Sequence, residues 1–224
     1  VSTNSRYVIG LDLGTTNTAL AYVDTAAITD DQPAKIEQFA ITQLVKAGEV
    51  EEEALLPSFI YIQGPEESNS ASLQVPWGKN RDFAVGKYAR DHGSQIPTRL
   101  VSSAKSWLCH PGVDRRGKIL PWTAEDDFPK ISPLEASTRI LEHLRLAWNQ
   151  QIAGKDKASR IEHQDIILTV PASFDAVARE LTLEAATKAG LAEVTLFEEP
   201  QAAFYAWLQQ SGDAWRSQVQ KGDV

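Results

Sequence analysis

Residues 7 to 23 constrain the fold most. Two apolar, β-branched runs, Tyr7 to Leu13 and Thr18 to Val23, are separated only by Gly14-Thr15-Thr16-Asn17. Neither run is long enough for a helix that buries one face, and a four-residue Gly/Asn spacer is the connection a β-hairpin uses. The chain therefore begins a sheet at once. A third strand is expected within Ala34 to Leu44, and Leu56 to Ile62 reads as one more strand. Glu49 to Glu53 is expected to be a solvated acidic loop.

The last third of the chain changes period. Ser132-Pro133-Leu134-Glu135 has capping-box spacing with proline at the first helical position, and Leu134, Leu141, Leu144, Trp148 and Ile152 fall on one face of the helix that follows. Gly154 ends it. Asp165 to Val170 is a buried-strand pattern closed by Pro171. Asp175 can cap a second helix with Phe174, Ala178, Leu181 and Ala185 inward and Gly190 at its end. Val194 to Phe197 reads as a short strand, and Pro200 opens a helix to about Gln210. Between Gln63 and Pro129, Pro, Gly, Asn and Ser are frequent, with brief helices expected at Ala84 to Gly93 and Ser102 to Leu108. The pattern is α/β, helices against a mixed sheet. Residues 1–55 and 131–224 are expected to form the core, with 56–130 as an inserted smaller subdomain.

Acidic residues outnumber basic ones 30 to 22, a net charge of −8, which argues against a general nucleic-acid binder or an anionic-membrane binder. A polyanion such as ATP is still accessible to such a chain where local amides, a lysine and Mg²⁺ act together. Cys109 is the only cysteine, so no internal disulfide can form, and its neighbours make no metal-ligand pattern. The polar start, Val1 to Arg6, and the interruption of the next apolar run by Asp12 and Gly14 fit neither a signal peptide nor a membrane span. A cytoplasmic setting is expected.

The chemistry is concentrated around the first turn. Asp12 ends an apolar strand, Gly14 lets backbone come close to a ligand, and Thr15 and Thr16 add hydroxyl donors. The glycine spacing is that of neither a P-loop nor a dinucleotide fingerprint. From these residues alone, an ordinary hairpin turn with a capping Asp and a phosphate cradle are both open. Lys105 alone among serines reads as a surface lysine, and Glu199 before Pro200 as a helix-dipole partner.

Asp12-Leu13-Gly14-Thr15-Thr16-Asn17 resembles the first phosphate loop of the Hsp70 branch of the actin/hexokinase/Hsp70 ATPases. Leu168-Thr169-Val170-Pro171-Ala172-Ser173-Phe174, Arg179, Gly190-Leu191 and Glu198-Glu199-Pro200-Gln201-Ala202-Ala203 resemble later blocks of that family, in the same order. The resemblance implies the N-terminal lobe of a divergent bacterial Hsp70-like chaperone, an actin-like (ribonuclease H-like) lobe that binds ATP or ADP with Mg²⁺. It implies that Asp12 contacts Mg²⁺ through water and that Gly14, Thr15, Thr16 and Asn17 hold the β- and γ-phosphates. It also implies that Lys105 neutralises the γ-phosphate and positions the attacking water. Glu199 would lie near metal and water, and Pro171 with Arg179 would relay nucleotide state. Partners implied are the protein's own second lobe and C-terminal region, with a client protein or co-chaperone. On this resemblance, Lys221 to Val224 approach the strand of a second phosphate loop, and this chain alone is expected not to turn over ATP.

Ser173 stands where the family has an aromatic, and Leu183 and Thr195 where chaperone members carry basic residues, which puts co-chaperone coupling in doubt. Trp77, Trp107 and Trp122 are unlike the family's usual middle block. The alternatives are an actin-like filament subunit, which shares the fold, and a pseudo-ATPase that binds nucleotide without hydrolysis.

Overall fold

The computed structural model describes residues 5–29, 34–64, 67, 70–78 and 81–218; Val1 to Asn4 and Lys221 to Val224 lie outside the described residues. The hairpin forms as β1 (Tyr7–Leu13) and β2 (Asn17–Asp24), antiparallel from Tyr7↔Asp24 to Leu13↔Thr18. Tyr7, Ile9, Leu11 and Leu13 of β1 are buried, while Gly10 and Asp12 are exposed, so one face of the strand enters the core.

Two short strands, β3 (Glu37–Gln38) and β4 (Ile41–Lys46), occupy the segment expected to hold one. The acidic segment is not a loop: it is β5 (Glu49–Glu53), antiparallel to β4. Its side chains stand in water, where successive glutamates do not oppose an exposed strand. Leu56 to Ile62 likewise splits into β6 (Leu56–Pro57), which pairs with β2, and β7 (Ile60–Ile62), which belongs to another sheet. The break falls at Pro57-Ser58, because proline lacks the amide a continuous ladder needs. β7 pairs with β8 (Phe83–Val85) and β9 (Leu100–Val101), so Ala84 is in a strand, and only α1 (Lys87–Gly93) is helical there. The second brief helix is α2 (Ala104–Cys109).

The later elements follow their caps. α3 (Pro133–Trp148) starts where Ser132 Oγ accepts the Glu135 N–H at 3.0 Å. β10 (Asp165–Val170) lies parallel to β1. α4 (Ala176–Lys188) starts where Asp175 accepts the Ala178 N–H at 2.6 Å. β11 (Val194–Glu198) lies parallel to β10, and α5 (Glu199–Ser211) begins at the next residue. The main sheet runs β11-β10-β1-β2-β3, with β6 also on β2. Leu134, Ile140, Leu141, Leu144 and Trp148 of α3 are buried in one cluster with the inward residues of β1 and β10.

The helical course continues past Trp148, the last residue of α3. It widens into a π-helical turn, Asn149–Ala153, ended at Gly154 in left-handed backbone (φ 52°). The extra width brings Gln151 to the edge of β4, where its Oε1 accepts the Thr42 N–H at 3.2 Å and its Nε2 donates to Ala40 O at 2.9 Å. His143 meets the same edge: a carbonyl only accepts, so Nε2 must carry the proton it gives to Thr42 O at 2.9 Å. Side chains here take the place of a neighbouring strand.

Burial, then the charge of Arg81, push the His143 pKa down to about 3. The folded state keeps it neutral, whereas the unfolded imidazole takes a proton at about pH 6.5. Stability from this group is therefore complete above that pH and is lost as pH falls toward the folded value. Urea unfolding of His143→Gln, which keeps a donor for Thr42, is expected to show a pH slope between about 6 and 4 that is shallower by up to about 1.4 kcal/mol per unit.

Candidate functional site

Three parallel strands deliver their carboxyl ends to one edge of the main sheet. Asp12 pairs with Thr169, and Val170 with Glu198, so β1, β10 and β11 finish side by side. In open α/β sheets this edge is where ligands bind. Asp12 is exposed at the end of its strand, and its Oδ1 accepts a hydrogen bond from Thr169 Oγ1 at 3.0 Å.

The turn after β1 is tightly closed. A Cβ on Gly14 would sit 2.1 Å from the Asn17 carbonyl oxygen, so glycine is needed for close approach. The turn is also held from outside. Ser58 N–H donates to Thr16 O at 2.9 Å, and the buried hydroxyls of Thr18 and Ser58 share a hydrogen bond at 2.9 Å. Thr15 and Thr16 stay exposed above it.

Lys105 comes from a different element. It lies in the first turn of α2, only 8% exposed, and its Nζ forms an ion pair with Glu199 Oε1, the first residue of α5. Its ammonium also lies 6.0 Å from the ring centre of Phe174. A buried ammonium needs such a partner. Glu199 is thus more than a dipole partner for α5, and Lys105 is not a surface lysine. Arg179, from α4, donates to Phe174 O at 3.2 Å and to Glu198 Oε1 at 2.7 Å, tying the segment after Pro171 to the end of β11.

The structure therefore brings Lys105 to Glu199 and Arg179 to the residue beside it, while Asp12 and the Gly14 turn finish β1, separated from β11 by β10. Thr169, Glu198 and Phe174 complete these contacts; they lie inside the quoted motif segments, but nothing local to each marks it out. Among the described residues no three His, Cys, Asp or Glu side chains gather as metal ligands, and no helix is long and apolar enough to cross a membrane.

No family model matches the sequence. Individual chaperones do: over 219 residues, 92% of this chain, it is 30% identical to the "Chaperone protein HscA homolog" of Haemophilus influenzae (strain 86-028NP). The chain is a relative of the Hsp70 chaperones. An HscA homolog from Actinobacillus pleuropneumoniae serotype 5b (strain L20) is also 30% identical over 92% of the chain, and HscA of Enterobacter sp. (strain 638) is 27% identical over the same share. This Hsp70 relative spans 29% of the length of each of those proteins, over their N-terminal portion.

Proposed function

We propose that this chain is the N-terminal lobe of an Hsp70-like chaperone ATPase, an actin-like fold whose ATP site is completed by a second lobe. The observation that carries the reading is the Lys105–Glu199 ion pair beside the carboxyl ends of β1, β10 and β11. Such an arrangement suits phosphoryl transfer to water, where catalysis is positioning and charge neutralisation. The amides of Gly14 to Asn17 hold the β- and γ-phosphates of ATP, or the β-phosphate of ADP. Lys105 neutralises charge developing on the γ-phosphate and orients the attacking water, which Glu199 also holds. No covalent nucleophile is needed.

Mg²⁺ fits the same edge. Asp12 presents one exposed carboxylate, and a hard cation of this kind takes one or two carboxylates together with phosphates and water rather than a full protein cage. Bound there, it would supply charge neutralisation between the phosphates. Pro171 and Arg179 form the relay, since Arg179 joins the Phe174 carbonyl to Glu198, the neighbour of Glu199.

α5 supports a missing neighbour. None of its residues is buried, and Phe204 and Tyr205 are 53% and 61% exposed beside Trp207. The second lobe covers this face. The same reading places the protein in the cytoplasm, with a client or co-chaperone as its further partner.

The test is ATP hydrolysis by the intact protein with Mg²⁺. Lys105→Ala is expected to lower turnover on the order of a hundredfold or more while ATP is still bound. Equal turnover by the two proteins would overturn the assignment of Lys105; bound ATP with no turnover by either would favour the pseudo-ATPase reading.

A further inference from the structure

Arg115 lies in the loop after α2, outside every motif that carries the resemblance. Its side chain is only 11% exposed, and its hydrogen bonds join two elements of the site. Nη2 donates to Cys109 O and Nε to His110 O, both at 3.3 Å, which satisfies the carboxyl end of α2. Nη1 and Nη2 also reach the two oxygens of Asp175, at 3.1 and 3.0 Å. Asp175 caps α4 and directly follows Phe174, the ring beneath the Lys105 ammonium. The Arg115 guanidinium and the Ala178 N–H together hold the Asp175 carboxyl below its ordinary range.

α2 needs outside support. It has six residues, too few to be stable alone, and it starts at Ser103 in left-handed backbone (φ 55°). Its contacts with α3 and α4 bury Ala104 and Leu108. Lys105 projects from its first turn. With the carboxyl end fixed by Arg115, a circuit closes: α2 to Asp175, Phe174 to Arg179, Arg179 to Glu198, and Glu199 back to Lys105.

We propose that Arg115 is a positioning residue that sets Lys105 against Glu199 by clamping the carboxyl end of α2 to the segment ahead of α4. Its importance for catalysis rests on the reading of Lys105 given above; the clamp itself does not. Arg116, the next residue, provides the contrast. It pairs with Glu184 at 2.6 Å, is 55% exposed, and bonds no part of α2.

The experiment labels the lysines of this chain with acetic anhydride and follows each site by mass spectrometry. Lys105 is expected to be protected, and to react severalfold faster in Arg115→Ala and in Asp175→Asn, which keeps a cap for α4. Arg116→Ala should leave its rate unchanged. In the intact protein, Arg115→Ala is expected to lower kcat for ATP by about ten- to a hundredfold with little change in nucleotide affinity. Unchanged Lys105 labelling in both clamp variants overturns the proposal, as does faster labelling at every lysine, which marks a merely structural role. Faster labelling at Lys105 alone, in a protein that never hydrolyses ATP, upholds the clamp and rejects the ATPase reading.

Discussion

Replacing Trp148 with alanine is expected to destabilise the chain by about 3–5 kcal/mol. The indole is fully buried near the end of α3, edge-on to Tyr7 at 5.2 Å and to Tyr22 at 5.1 Å, and tilted against Phe39 at 5.4 Å. Its Nε1–H donates to Ser159 O at 3.0 Å. Alanine removes the ring contacts and opens a cavity between β1, β2 and α3, and it also leaves the Ser159 carbonyl without that donor, a further loss of about 1–3 kcal/mol if water cannot reach it. The effect is expected at the top of the range for this reason. Trp148→Phe keeps most of the ring contacts and loses the hydrogen bond, so its cost should be nearer about 1–2 kcal/mol. Urea unfolding with an unchanged m-value checks both, since a shift in midpoint alone reports native-state loss. A cost below about 1 kcal/mol for the alanine variant would mean that the aromatic cluster does not anchor the hairpin to α3.

The elements that were legible in the sequence are those whose signal is local. The β1–β2 hairpin showed in two apolar, β-branched runs around a glycine turn, and α3 and α4 in Ser132 and Asp175, which both make the expected cap bonds. β5 was not legible because a strand paired along one edge can carry Glu51 and Glu52 into water, which composition reads as a loop. The π-helical turn was also hidden: Gly154 marks where the helix ends, but nothing in the spacing shows that Gln151 must reach β4. For the site, the Gly14 turn and Asp12 were readable as a possible cradle. The contact of Lys105 with Glu199, 94 residues later, was not, because two short segments with no shared periodicity are brought together only by packing of α2 beside α3 and α4. Arg115 has no sequence signal at all.

Gly14→Ala is expected to cost the intact protein more than tenfold in affinity for Mg-ADP, with a loss of about 1–3 kcal/mol in stability. Gly14 is required for space rather than for a positive φ. Its Cβ would lie 2.1 Å from the Asn17 carbonyl oxygen, and a backbone atom cannot swing aside as a side chain can. To relieve the clash the turn must open, yet Asn17 is paired with Pro57 and Thr16 O accepts the Ser58 N–H. Any movement therefore breaks a contact with the start of β6–β7 or reorients the amides of Thr15 and Thr16, which are the groups proposed to face phosphate. Gly10→Ala is the matched control: the same methyl, four residues earlier on β1, would meet only Ala21 O at an ordinary 3.9 Å. Calorimetric titration with Mg-ADP, beside thermal unfolding, separates the two effects. Lost affinity with Gly14→Ala and retained affinity with Gly10→Ala ties the phosphates to this turn. Equal affinities would place the nucleotide elsewhere, even though the turn itself had been strained.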